Sequence, residues 1–266
     1  MTDTMAAFLS YAEHDRNRSP HTLARYRAVL GQLAATCDPA TATAEQVEAW
    51  WASRYDYSAS TRANELACLR SFYRWAAKFD HRTDDPTRRL DPPKVPNHVP
   101  RPIGRSDLSQ LLGTFTDDAP DLRRAIALGA YGGLRVSEAA GLDWSGVDQE
   151  ARRIYVRGKG GKERVVGLSP LLLDHLLPET VGNVVTAGAS PYSGPVLQRK
   201  VNRLLARHGI GHTFHDLRKR GATLALAKGN SPLAVAQMFG WASIETAQSY
   251  AVVSAEELDA IAAAMV

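Results

Sequence analysis

Residues 84–102 read DDPTRRLDPPKVPNHVPRP, and no regular packed element runs easily through such a stretch. Proline lacks a backbone donor and pushes the residue before it away from helix. The segment also has no hydrophobic period, so it reads as a linker. It divides the 266 residues into an N-terminal domain (1–85), a linker (86–102) and a C-terminal domain (103–266).

The N-terminal part reads as all helix. Ser19-Pro20 is a start signal, with Ser as cap and Pro at the first helical position. Leu23, Tyr26, Leu30 and Leu33 follow at steps of three and four. Thr43 opens a second helix carrying Val47, Trp50 and Trp51. Ser60 opens a longer one with Leu66, Leu69, Phe72, Tyr73 and Ala76. On that longer helix Arg70 and Arg74 share one face, with Arg62 two turns earlier, and Arg25 offers a similar cation on the Ser19 helix. Such arginines are either a solvated surface or a nucleic-acid-facing one, and their clustering on two helices favours the second.

The C-terminal part is mostly helical with one exception. Residues 153–156 and 164–168 are β-type runs joined by Gly158-Lys159-Gly160-Gly161-Lys162-Glu163, a hairpin. Helices are expected over 171–177, 196–207, 214–228, 233–239, 244–250 and 255–265. The expected class is therefore mainly α: an N-terminal helical bundle, then a mixed α+β domain with a small antiparallel sheet.

Bulk properties narrow the function class only slightly. The net charge of +4 fits a nucleic-acid partner without requiring one. Cys37 and Cys68 fall in helical patterns as isolated thiols, which suits a reducing compartment. No apolar run follows a basic start, and none approaches transmembrane length, so a cytoplasmic protein without a membrane partner is expected.

Four stretches carry candidate chemistry. Gly132-Gly133-Leu134-Arg135-Val136-Ser137-Glu138 sets an Arg at a helix start, either an anion site or a surface pair with Glu138. Lys159 sits in a glycine turn, either a phosphate-reaching cation or a mobile surface hairpin; the turn lacks the Gly-Lys-Ser/Thr ending of a nucleotide loop. His215 and Arg218, three apart, share a helical face. His208 and His212 nearby raise a metal site as a rival, but no cysteine or suitably spaced carboxylate joins them. Finally Trp241 and, nine residues later, Tyr250 close a short helix, a pattern that packing alone also produces.

Together, in this order, these stretches resemble the tyrosine site-specific recombinase (phage integrase) family. Arg135 and Glu138 match its G-L-R-x-x-E phrase, Lys159 its hairpin lysine, His215 and Arg218 its H-x-x-R pair, and Trp241 and Tyr250 its final pair. Ser19, Thr22, Tyr26 and Leu30 look like its core-binding domain, so the resemblance spans nearly the whole chain. Trp241 stands where His is commoner, as in Cre-like recombinases; an indole donates one N–H but shuttles no proton. The size resembles short phage integrases that lack an arm-binding domain, and Xer recombinases.

The resemblance implies a mechanism and partners. Tyr250 attacks a DNA phosphodiester; Arg135, Arg218, His215 and Trp241 stabilise the transition state; Lys159 protonates the leaving 5′-hydroxyl; Glu138 orients the cations. Both domains would clamp double-stranded DNA, with Thr22, Arg25, Arg62, Arg70 and Arg74 as contacts, and four protomers would form the synapse. No metal or cofactor is implied; an accessory directionality factor or a host DNA-bending protein is an expected partner, and the location nucleoid-associated. Phage genome integration and excision is the leading role, with a Xer-type dimer resolvase, a type IB topoisomerase or a cleavage-deficient DNA-binding regulator as alternatives. A helix after Tyr250, with Ser254 as cap and Leu258, Ile261, Ala262 and Met265 as its stripe, would dock on its own domain or on a neighbouring protomer.

Overall fold

The computed structural model describes residues 2–96, 102–114, 120–158, 161, 163–176, 181–187, 190–250 and 263. The chain divides into two compact units, Met1–Asn97 and His98–Val266.

The first unit is a four-helix bundle: α1 (Asp3–His14), α2 (Pro20–Ala34), α3 (Ala44–Ala52) and α4 (Ala59–Lys78). Each start is capped by a hydroxyl. Thr2, Ser19, Thr43 and Ser58 accept from a backbone N–H in the first turn, and Gln46 completes a capping box with Thr43. The cap of α4 is thus Ser58, not Ser60; Ser60 lies inside the helix, and the earlier hydroxyl captures the backbone of Thr61. Cys68 lies in α4, whereas Cys37 falls just past the end of α2.

The stripe of α4 is the spine of the core. Leu69, Phe72, Tyr73 and Ala76 are fully buried, against Leu30 and Leu33 of α2 and Phe8 of α1. Phe8 meets Tyr26, Phe72 and Trp75 at ring-centroid distances of 5.0, 5.4 and 5.4 Å. The start of the proline-rich segment is also packed here. Leu90 is buried in this core, its carbonyl accepts from Arg70, and Thr87 is fully buried on the Asp85 carboxylate. Pro86, Thr87 and Leu90 are all buried, so the start of a stretch whose composition reads as open linker is packed and hydrogen-bonded.

The second unit runs α5 (Arg105–Gly113), α6 (Pro120–Ala130), α7 (Val136–Ala140), a 3₁₀ turn (Trp144–Gly146), β1 (Val147–Asp148), β2 (Arg153–Arg157), β3 (Glu163–Gly167), α8 (Pro170–Leu176), β4 (Thr186–Ala187), β5 (Ser190–Pro191), α9 (Gly194–Arg207), α10 (Phe214–Ala227), α11 (Pro232–Phe239) and α12 (Ile244–Gln248). The fold is mainly α with a small antiparallel sheet of order β1-β2-β3, as expected from the sequence. The hairpin register pairs Ile154 with Val166 and Arg157 with Glu163. At the centre lies α6, whose residues 124–130 are all buried and which packs against α7, α8, α9 and α10. At Gly129 a methyl group would come within 3.3 Å of Phe214 and Leu217, so the missing side chain sets how closely α10 approaches.

Among the described residues no helix is long and apolar enough to cross a membrane. The expected helix after Tyr250 lies outside the described residues.

Candidate active site

Two glycines build the frame. Gly133 has φ +65°, and a Cβ there would lie 2.5 Å from the Phe239 ring; this turn ends α6 and delivers Arg135 to the start of α7. Gly240, at φ +59°, closes α11 in the left-handed conformation and hands the chain to Trp241.

Around Glu138 three guanidiniums converge. Arg135 Nη1 donates to Oε1 at 2.8 Å. Arg164 grips both oxygens, Nη1 at 2.7 Å and Nη2 at 2.8 Å. Arg218 Nη1 stands 3.9 Å from Oε2. The carboxylate is only 3% exposed. Burial alone would raise its pKa; the hydrogen bonds from Arg164 and from the Arg135 backbone and side chain outweigh that and hold it down at about 2. The pair between Arg135 and Glu138 therefore exists, but with a buried carboxylate rather than on the surface. Glu138 also takes the Arg135 backbone N–H at 2.7 Å, so that donor serves the carboxylate and not an incoming anion.

The same three arginines meet a second acceptor set. Arg164 Nε donates to the Met238 carbonyl at 2.8 Å, Arg218 Nη2 to Phe239 at 2.5 Å and Arg135 Nη2 to Gly240 at 3.0 Å. These consecutive carbonyls are the negative end of α11, which suits cations. Arg218 Nη1 also donates to the Gly133 carbonyl. Burial, with Arg135 close by, pushes the Arg218 guanidinium down to about 9 despite Glu138. It stays charged at neutral pH. Three positive charges thus surround one negative charge, an imbalance that favours an incoming anion.

Next to this group Trp241 and Tyr250 stack, with ring centroids 4.9 Å apart and planes 8° from parallel. Trp241 also lies 5.7 Å from the Arg218 guanidinium. His215 sits at the surface one turn before Arg218 on α10; partial burial and the neighbouring cations Lys219, Arg218 and Arg135 hold its imidazole below the usual histidine range. A cleft of about 930 Å³ opens beside the cluster, walled by Arg135, Arg164, Met238 and Trp241 among others.

Arg135, Glu138, His215, Arg218, Trp241 and Tyr250 are thus assembled by α7, α10 and the α11–α12 segment. Lys159 lies outside the described residues. Arg164 is the functional neighbour that sequence reading missed. Its signal was there: in β3, Glu163 and Val165 face outward while Arg164 and Val166 face inward, and a charge on the inward side of a strand needs a buried partner.

In the first unit the expected nucleic-acid contacts are differently placed. Arg25 and Arg74 are exposed. Thr22 shares a 2.9 Å hydroxyl contact with Ser19. Arg62 lies over Trp51 and Tyr55, 4.9 and 4.5 Å from their ring centroids. Arg70 is spent on the Leu90 carbonyl at 2.5 Å.

Known proteins resemble this chain over most of its length. Residues 103–257 match the phage integrase family, and residues 5–78 match the N-terminal SAM-like domain of phage integrases. The chain is 33% identical over 279 residues to the tyrosine recombinase XerC of Rhodospirillum centenum, covering 93% of this chain and 82% of that one. It is 31% identical over 278 residues to XerC of Corynebacterium efficiens, covering 97% and 89%. A solved lambda integrase fragment (residues 75–356, a dimer bound to a core site) has the same fold, with a TM-score of 0.78 at 17% identity over 94% of each chain. The chain belongs to the phage integrase family, the tyrosine recombinases.

Proposed function

We propose that this protein cuts and rejoins DNA at specific sites through a covalent 3′-phosphotyrosine on Tyr250. The observation that carries the reading is the charge imbalance around Glu138 directly beside the Trp241–Tyr250 stack. A phosphodiester entering there gains charge in its pentacoordinate transition state, and Arg135 and Arg218 neutralise it with side-chain N–H donors. The Tyr250 oxygen bonds to phosphorus as the bond to the 5′-oxygen breaks. The phenol proton passes to His215, which is neutral near pH 7 because its pKa is depressed. Lys159 protonates the departing 5′-oxygen. The phosphodiester bond energy is kept, so a second 5′-hydroxyl reverses the step on another strand.

Each protomer cuts one strand, so exchange between two duplexes takes four protomers. Relatives named XerC that align over most of the chain favour a Xer-type role over phage integration. The reading is tested by covalent trapping on a nicked duplex chosen by binding selection from random sequence. Wild type should give a protein–DNA adduct. Tyr250→Phe should bind the duplex with little change and give none; an adduct from the Phe variant would falsify the assignment.

A further inference from the structure

The first turns of α10 carry a charge pair separate from the arginine cluster around Glu138. Lys219 follows Arg218, and its Nζ lies 2.9 Å from the Asp216 carboxylate. Asp216 is itself fixed at the start of the helix. Its Oδ2 accepts from the Thr213 backbone N–H at 2.9 Å and from the Thr213 hydroxyl at 2.8 Å. His212 Nδ1 stands 3.9 Å from the same oxygen. The Lys219 ammonium is therefore tethered to a rigid point of the fold, and its side chain is only 27% exposed.

The pair sits beside His215. Residues 215 and 219 are one turn apart on one face of α10. Side chains on a helix lean toward its N-terminus, so an ammonium bonded to Asp216 lies back over the turn that carries His215. Among the described residues nothing hydrogen-bonds to the His215 ring. Its surroundings therefore act on its protonation through burial and charge alone. Partial burial disfavours the charged ring. The charges facing it are Lys219, Arg218 and Asp216 on α10 and Arg135 at the start of α7, and Lys219 acts on it most strongly.

We propose that Lys219 is a positioning residue for the cleavage step: tethered by Asp216, its ammonium keeps the His215 imidazole uncharged until DNA enters. The proposal rests on the DNA-cleaving function above, in which that ring takes the Tyr250 proton. An imidazolium has both nitrogens protonated and cannot accept another proton. The entering phosphate then offsets the cations around the ring, so its proton affinity rises as the phenol gives its proton up. Lys219 acts through His215 in this scheme.

The test titrates His215 directly, by NMR of ring-labelled histidine in the full chain. His215→Gln identifies the His215 signal among the eight histidines. Lys219→Met should raise its titration midpoint by about half a pH unit, the scale of one unit charge a helical turn away in water. Lys219→Arg keeps the charge and should leave the midpoint in place. Asp216→Asn keeps an acceptor for Thr213 and removes the negative charge, so it should lower the midpoint by a similar amount. A packing defect would not move the two variants in opposite directions. At subsaturating protein the rate of adduct formation reports the free protein, and its acid limb should move with the midpoint. Relative to its own plateau, Lys219→Met should then be about threefold slower on that limb. A midpoint that Lys219→Met leaves unmoved, or that Asp216→Asn moves the same way, would overturn the proposal. A midpoint that moves while the acid limb stays would instead remove His215 as the proton acceptor, and with it this part for Lys219.

Discussion

Each unit buries an arginine–glutamate cluster, and the two differ in charge balance. In the first unit Arg54 forks onto Glu65 at 3.1 and 2.6 Å, reaches Gln32 at 3.1 Å, and lies 3.9 Å from the Tyr57 ring centroid. One cation meets one anion, and hydrogen bonding to Glu65 raises the Arg54 pKa. In the second unit three arginines share Glu138, and burial together with Arg135 lowers the Arg218 pKa. The directions differ first because Arg218 is the more deeply buried, and then because it shares its carboxylate with Arg135 and Arg164, whereas Arg54 is bonded to Glu65 by itself. A complete pair serves the fold. The incomplete one keeps positive potential where an anion can enter, at some cost in stability.

The largest expected effect separates the two clusters by activity. Arg218→Ala and Arg135→Ala should each reduce covalent adduct formation on the selected duplex by about 100- to 1000-fold. Lysine at either position should recover little, since it lacks the planar fork. Arg54→Ala should leave the rate per bound complex unchanged. If Arg54→Ala slowed the chemistry as much as Arg135→Ala, charge balance would not be what distinguishes the clusters.

Acid titration gives a smaller effect. The Glu138 pKa is lower folded, at about 2, than its ordinary 4.5. Its ionised form therefore stabilises the fold above the unfolded pKa, and this stability is lost as pH falls through the range from 4.5 toward 2. The span corresponds to on the order of 3 kcal/mol. Urea melts of Glu138→Gln should lack that acid-range loss, and its cleavage at pH 7 should fall at least about tenfold, because the arginines lose their shared anchor. Glu65→Gln should lower stability at pH 7 by roughly 1–3 kcal/mol and leave cleavage per bound complex alone. Equal acid sensitivity in wild type and Glu138→Gln would show that other carboxylates dominate.

Sequence legibility followed the same divide between complete local patterns and long-range closure. The stripe of α4, the Ser19-Pro20 start and the β2–β3 hairpin are local, and short-range chemistry announces each. By contrast α6 is buried along residues 124–130, and its polar residues Asp121, Arg123 and Arg124 fall together at its start, so the run AIALGA has no polar face to reveal its period. The two-residue strands β1, β4 and β5 are too short to show alternation. At the site, sequence placed Arg135 beside Glu138, but no spacing rule links Arg164 to a carboxylate 26 positions earlier or to the end of α11. Likewise Arg70 read as a surface cation, while its partner is a carbonyl in the segment that read as linker.

The smallest effect concerns rings on cations. In the first unit Trp51 and Tyr55 flank Arg62, and no nucleophile is involved. In the second, Trp241 lies between Arg218 and Tyr250 and contacts both. The ring can act in two ways: its face orients the phenol, or its indole N–H donates to the phosphate. Substitution separates them. Parallel stacking contributes about 0.5–1.5 kcal/mol, so Trp241→Ala should slow single-turnover adduct formation by roughly two- to tenfold. Trp241→Phe keeps a ring and loses the donor; Trp241→His keeps a smaller ring and a donor. The near-parallel stack predicts that Phe recovers more of the rate than Ala does, which single-turnover rates at saturating protein would measure. If Phe proved no better than Ala while His restored the rate, the N–H would be the operative group and the stack only packing.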